Sequence, residues 1–221
     1  MTLKNLTKRI ITSIPLMFLL ILSFYYSYVL IIALFVLTLI TWIEFNGLVV
    51  RIFKVNLYRL LINFLSLIYL IIFSFIVASA ILQDNFKLNI FYLFLICIFS
   101  DVGGLIFGKV FKGKKLTKIS PNKTISGSMG SFLLSLVLVP IFNSLLDSKF
   151  SNLHDLIMIA ILVSFFCQLG DLFFSYLKRK AKVKDTGYIL PGHGGILDRI
   201  DGMLFAIPLG MFLWEFLIIV L

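Results

Sequence analysis
Five aspartates, Asp101, Asp171, Asp185, Asp198 and Asp201, each lie within eight residues of a lysine or arginine in a mostly apolar chain. Asp171, Ser175 and Lys178 are spaced i, i+4, i+7, which on a helix puts a carboxylate, a hydroxyl and an ammonium on one face. Asp198 and Asp201, spaced i, i+3, share a face in the same way. Carboxylates hold divalent cations, and ammonium and guanidinium groups bind phosphate oxygens. A single acid at a helix end has a simpler use as the partner of a neighbouring Lys or Arg; only the grouping argues for more. Between Lys184-Asp185 and Asp198-Arg199 runs Pro191-Gly192-His193-Gly194-Gly195. Its glycines permit close backbone approach, so successive amides can form a nest for an anion. Such a run is by itself only a loop, and its charged flanks are what make it a candidate phosphate cradle.

The elements that must position these residues are membrane spans. The chain has 221 residues, 61% hydrophobic and 14% charged, with 24 phenylalanines, against about 45 to 50% apolar and 25% charged in soluble domains. That balance excludes a soluble globular protein and predicts an all-α, polytopic integral membrane protein. A helix needs around 20 apolar residues to cross the bilayer core, and seven stretches qualify: 10–26, 28–45, 57–82, 89–107, 127–146, 153–175 and 202–221. The first follows Lys4, Lys8 and Arg9 as a secretory signal would, but the bulky Phe24-Tyr25-Tyr26 makes a poor cleavage site, so it is read as a span.

The net charge of +10 is a topology signal. With seven spans and a cytoplasmic amino terminus, eighteen of the twenty basic residues fall inside, and only Lys87 and Lys149 outside. Breaking the third span in two would move Lys109 to Lys123 and Lys178 to Arg199 to the wrong face. Asp101 and Asp171 each end an apolar span at the cytoplasmic edge, so they can share one site facing the cytosol. Glu44, Asp185, Asp198 and Asp201 also lie at or near that face. Cys97 and Cys167 lie inside apolar runs and read as small buried hydrophobes, with no disulfide or metal role. The basic surplus belongs to membrane loops, and no nucleic acid is expected as partner.

The stretch from Ser175 to Asp201, SYLKRKAKVKDTGYILPGHGGILDRID, resembles the signature of the phosphatidate cytidylyltransferases, also called CDP-diacylglycerol synthases. Ser175, Lys178-Arg179, Lys184-Asp185, Gly187, Leu190-Pro191, His193-Gly194-Gly195, Asp198-Arg199 and Asp201 fill its positions. Asp101 to Lys109, Lys115-Leu116 and Ile119 to Thr124 resemble the family's upstream block, and Arg9 to Pro15 with Glu44 its amino-terminal part. The resemblance covers roughly the whole chain, taken as one domain over 1–221 with amino-terminal spans in 1–88 and a catalytic half in 89–221. Two positions depart from the pattern: Phe174 and Ser126 stand where members often have Glu.

The resemblance implies transfer of a cytidylyl group from CTP to phosphatidic acid, giving CDP-diacylglycerol and pyrophosphate for phospholipid biosynthesis at the cell membrane. It also implies a homodimer. Two polyanions must meet in that reaction, so magnesium is the expected cofactor, with a second ion able to clamp entering and leaving oxygens. Asp171 and Asp198 are the first expected ligands, then Asp201 and Asp101; Asp171, Lys178, Asp198 and Asp201 form the expected catalytic set. Ser120, Lys123, Thr124, Ser175, Arg179, Lys184, Asp185, His193, Gly194, Gly195 and Arg199 are expected to bind substrate. The lysines from Lys109 to Lys123 also suit an anionic lipid surface, while Gly104 and Gly108 suit close helix packing. A related lipid kinase or archaeal-lipid cytidylyltransferase would use similar chemistry. A secondary transporter would instead place polar groups at mid-membrane and show repeated halves, and neither is visible.

Overall fold
The structure, a computed structural model, describes residues 18, 22, 25–121, 123–146, 152–189 and 194–220. Among these, regular structure is helical apart from one antiparallel bridge between Lys115 and Thr124. The helices are α1 (Ser27–Ile52), α2 (Asn56–Leu82), α3 (Asp84–Val110), α4 (Ile125–Leu136), α5 (Leu138–Leu145), α6 (Leu153–Lys180) and α7 (Leu197–Val220). Among the described residues, six segments are long and apolar enough to cross a membrane, with α4 and α5 together forming one. The protein is thus a multi-pass, all-α membrane protein. Most of the expected first span, 10–26, lies outside the described residues, as do Asn122, Asp147, Lys149 and His193.

The third expected span is one unbroken helix, α2. The fifth is not: Val137 separates α4 from α5. Pro140 explains the break, because it has no N–H for the carbonyl of Leu136 and its ring crowds that carbonyl. The last helix starts at Leu197 rather than 202, which puts Asp198 and Asp201 inside it. Helix α6 runs on to Lys180, so Lys178, Arg179 and Lys180 occupy its last turn, where cations oppose the negative helix end.

The chain forms two compact units, Met1–Leu82 with Leu177–Ile200, and Gln83–Tyr176 with Asp201–Leu221. In the first, α1 and α2 pack as a hairpin. Thr38 and Ser74 share a hydrogen bond of 2.6 Å, Trp42 Nε1 donates to the Asn63 carbonyl at 3.0 Å, and Asn63 Nδ2 donates to Asn46 Oδ1 at 2.7 Å. Polar links of this kind hold helices together where lipid supplies no hydrophobic drive. Arg59 closes the connection by donating to the carbonyls of Phe53 and Val50, at 2.6 and 3.2 Å, near the end of α1. The buried stripe of α1 is Leu30, Leu34, Thr38, Thr41, Glu44 and Leu48, three to four residues apart as one helix face requires.

In the second unit, α3 and α4 meet along small residues. A Cβ on Gly103 would strike the Gly130 carbonyl, while Gly104 and Gly108 face Ser131 and Gly127. Ser131 donates to the Ser100 carbonyl at 2.7 Å, and Ser100 bonds Ser164 of α6 at 2.9 Å. Tyr92 donates to the Leu156 carbonyl at 3.0 Å and meets Trp214 edge to face at 5.9 Å. Cys97 and Cys167 are free and buried.

Candidate active site
Five of the expected site residues, Asp101, Ser120, Lys123, Thr124 and Asp171, line one cavity of about 430 Å³ in the second unit. The loop before α4 brings three of them there. Lys112 and Gly113 turn the chain with φ of 50° and 109°. The Leu116 amide then donates to the Lys123 carbonyl at 2.8 Å and the Ile125 amide to the Lys114 carbonyl at 3.0 Å, folding the loop back on itself. Thr124 caps α4, its hydroxyl accepting from the Gly127 amide at 3.1 Å. The start of α4 therefore lines the cavity; its Ile125 and Gly127 amides are already engaged, and what it offers phosphate is the partial positive charge of the helix end. Lys123 stands beside it.

Lys123 Nζ lies 2.8 Å from Asp171 Oδ2, a pair drawn together across 48 residues of chain. Both side chains keep contact with solvent, at 29% and 22% exposure. Such a pair opens at small cost, freeing the ammonium for phosphate and the carboxylate for a cation. Asp101 accepts a long contact of 3.8 Å from the Cys167 thiol. Gln168, three residues before Asp171 and on its face of α6, accepts from Ser128 at 2.5 Å, while its buried Nε2 has no partner among the described residues.

A second group lies in the first unit. Lys178 Nζ is 2.7 Å from Asp198 Oδ1. Asp198 Oδ2 accepts from the Thr186 amide at 2.8 Å and the Gly195 amide at 3.0 Å, and it shares the one proton of the Thr186 hydroxyl, 3.0 Å away, with Glu44 Oε2. With one ammonium, two amides and a shared hydroxyl, the carboxylate is largely satisfied within the protein. The Gly195 amide, expected to face phosphate, is thus already engaged. Gly194 has φ +84, the left-handed region, and a Cβ there would lie 3.0 Å from Asp198 Oδ2. Glycine is the residue that both demands admit.

The remaining candidates are dispersed. Arg179, Lys184, Asp185 and Arg199 are exposed, and Ser175 is half-buried on α6. Asp201 is buried, its Oδ1 accepting from the Gly202 amide at 3.0 Å, and it does not line the cavity. Three residues carry more of the site than their sequence positions suggested. Glu44 accepts from Thr186, Ile196 and Leu197; Thr186 joins Glu44 to Asp198; Gln168 lines the cavity. The available signal was an acid or amide on the buried face of an apolar helix, where polar groups are costly.

Among the described residues, no group of three or more His, Cys, Asp or Glu side chains comes together as a metal cluster. Magnesium does not need one. It keeps several waters and takes one or two carboxylates plus substrate phosphates, and the cavity lined by both Asp101 and Asp171 fits that demand.

The model of the cytidylyltransferase family matches residues 1–217. The chain belongs to the cytidylyltransferase family. Among curated relatives of this family member, a protein of Staphylococcus epidermidis (strain ATCC 35984) named phosphatidate cytidylyltransferase is 47% identical over 121 residues, 54% of this chain and 46% of its own. One of Bacillus subtilis (strain 168) with the same name is 44% identical over 132 residues, 59% of this chain and 49% of its own. One of Staphylococcus aureus (strain COL), also so named, is 46% identical over 121 residues, 54% and 46% of the two chains. This cytidylyltransferase-family chain spans about half the length of the curated relatives it matches.

Proposed function
We propose that this family member transfers the cytidylyl group of CTP to phosphatidic acid. A phosphate oxygen of the lipid bonds to the α phosphorus of CTP, the bond from that phosphorus to the bridging oxygen breaks, and pyrophosphate leaves. The single observation that carries the reading is the cavity in which Asp101 and Asp171 lie with Lys123 and the N-terminus of α4. The names of the curated relatives support the same substrates.

The obstacle to the reaction is repulsion between two polyanions, and positioned charge is what an enzyme offers against it. Lys123 and the start of α4 hold phosphate oxygens, with the Ser120 and Thr124 hydroxyls as further contacts. Asp101 and Asp171 would hold magnesium, which when bound withdraws charge from the phosphoryl oxygens. Asp198 and Asp201 are further metal ligands in this proposal through the signature resemblance alone. Lys178, Arg179, Lys184 and Arg199 neutralise charge, with Ser175, Asp185, His193 and Gly194 completing the substrate contacts, while the Gly195 amide stays on Asp198. No general base is required, because a phosphate monoester is already ionised near neutral pH. The proposal includes a cytoplasmic site and amino terminus, supported by the distribution of basic residues, and a homodimer, supported by family resemblance.

The test is purified protein in detergent with CTP labelled at the α and γ phosphates, phosphatidate and a series of divalent metals. Label from the α phosphate entering lipid, with release of pyrophosphate, is the expected result. Transfer of the γ phosphate alone, or to an isoprenoid alcohol in preference to phosphatidate, overturns the proposal.

A further inference from the structure
Glu44 is the one acidic residue of α1 and is buried, at 5% exposure, on a helix of mostly apolar residues. It lies eight residues before the end of that helix, about 12 Å in at 1.5 Å per residue. A carboxylate at such a place is costly unless donors surround it. Two amides point at it, Ile196 at 3.1 Å from Oε1 and Leu197 at 2.8 Å from Oε2, and the Thr186 hydroxyl, 3.0 Å from Oε2, shares its one proton between Glu44 and Asp198.

These donors show what the carboxylate does. Helix α7 begins at Leu197, and the residues just before it, Gly194-Gly195-Ile196, have no side-chain oxygen to cap the free amides of its first turn. Glu44 supplies the missing cap from a distant helix of the same compact unit. Its carboxylate also passes where two signature glycines leave room. A Cβ on Gly195 would strike Glu44 and the Thr186 hydroxyl, and one on Gly187 would meet the Glu44 carboxylate. The Thr186 hydroxyl lies 3.0 Å from both Glu44 Oε2 and Asp198 Oδ2, and Asp198 holds Lys178.

We propose that Glu44 is a positioning residue that fixes the signature loop and, through Thr186, the placement of Asp198 and Lys178. The inference rests on the reading of that loop as part of the cytidylyl-transfer site. Gln at position 44 keeps one acceptor oxygen but turns an NH₂ toward a backbone amide, so it satisfies only part of the set. Ala satisfies none. Because Thr186 is the link from Glu44 to Asp198, removing it after Glu44 is already gone changes little.

The experiment uses the full chain with Cys97 and Cys167 replaced by Ala and a nitroxide at Tyr188→Cys, a loop position that is 92% exposed. Spectra, thermal melting and cytidylyl transfer are measured for Glu44→Gln, Glu44→Ala, Thr186→Val and the combination of Glu44→Gln with Thr186→Val. The expected result is a new mobile component in the spectrum, growing from Gln to Ala. With it comes a fall in kcat on the order of 10²-fold for Ala, with the KM for CTP within about threefold. The combined variant is expected to lose less than the product of its two single losses. An unchanged spectrum, or kcat within about threefold of the parent in both Glu44 variants, overturns the proposal. A parent protein that transfers no cytidylyl group refutes the reaction alone, and the spectrum then decides whether Glu44 holds the loop.

Discussion
Replacing Lys178 with Met leaves the Asp198 carboxylate, whose side chain is 6% exposed, without its ammonium partner at 2.7 Å. Removing one member of a buried pair costs roughly 3 to 5 kcal/mol, because a buried charge is left uncompensated. The Thr186 and Gly195 amides and the shared Thr186 hydroxyl remain on Asp198, so the lower figure, about 3 kcal/mol, is expected. Lys123→Met breaks a pair of nearly equal length, 2.8 Å, whose side chains are 29% and 22% exposed. Water can replace the lost partner there, and the expected cost is about 1 kcal/mol or less. At roughly 2 to 4 °C per kcal/mol for a chain of this size, the melting temperature in detergent falls by about 6 to 12 °C for Lys178→Met and by no more than about 4 °C for Lys123→Met. Adding Asp198→Asn to Lys178→Met removes the orphaned charge and recovers most of the loss. Both lysine variants lose turnover, so the melting data separate a pair that holds structure from one that opens for substrate. The reasoning fails if Lys178→Met melts within about 2 °C of the wild type, or if Lys123→Met falls as far as Lys178→Met.

Asp171→Asn, with side-chain volume kept, should lower cytidylyl transfer by at least about 10³-fold while the protein still inserts and melts normally; activity within tenfold of wild type would show that Asp171 is no ligand. Chelation by EDTA should abolish transfer and added magnesium restore it, whereas calcium, with longer bonds and looser geometry, should restore much less in the same pyrophosphate-release assay. Gly170→Ala puts a Cβ 2.7 Å from the Asp201 carbonyl of α7, a backbone atom that cannot rotate away, and should cost roughly 1 to 3 kcal/mol in thermal melting. Pro140→Leu restores the donor for the Leu136 carbonyl, and slower amide exchange across 136–140 would show α4 and α5 joined.

Much of the fold was legible because hydrocarbon imposes a simple rule: a backbone without water must satisfy itself in a helix long enough to cross. Helix α2 follows directly from that rule, and the small residues Gly104 and Gly108 announced where α3 would be approached closely. The break at Val137 was not legible from span length, since hydropathy treats Pro140 as one more residue of an apolar run. The start of α7 at Leu197 lay outside the apolar span 202–221, although the i, i+3 spacing of Asp198 and Asp201 already suited a helix; what the sequence did not show is that Glu44 caps that first turn. Within the candidate site, the signature named the aspartates and lysines but not their partners.

Residue types and their spacing by themselves determined the class of protein, the family and the identity of the charged groups, because each depends only on local composition or on order along the chain. The pairing of those charges was decided by tertiary structure. Nothing local tells Lys123 to meet Asp171, Asp198 to accept from Lys178, Thr186 and Gly195, or Glu44 of α1 to close the first turn of α7. Such choices depend on which helix faces come within hydrogen-bond reach, and in an apolar interior each buried charge settles where donors are already gathered.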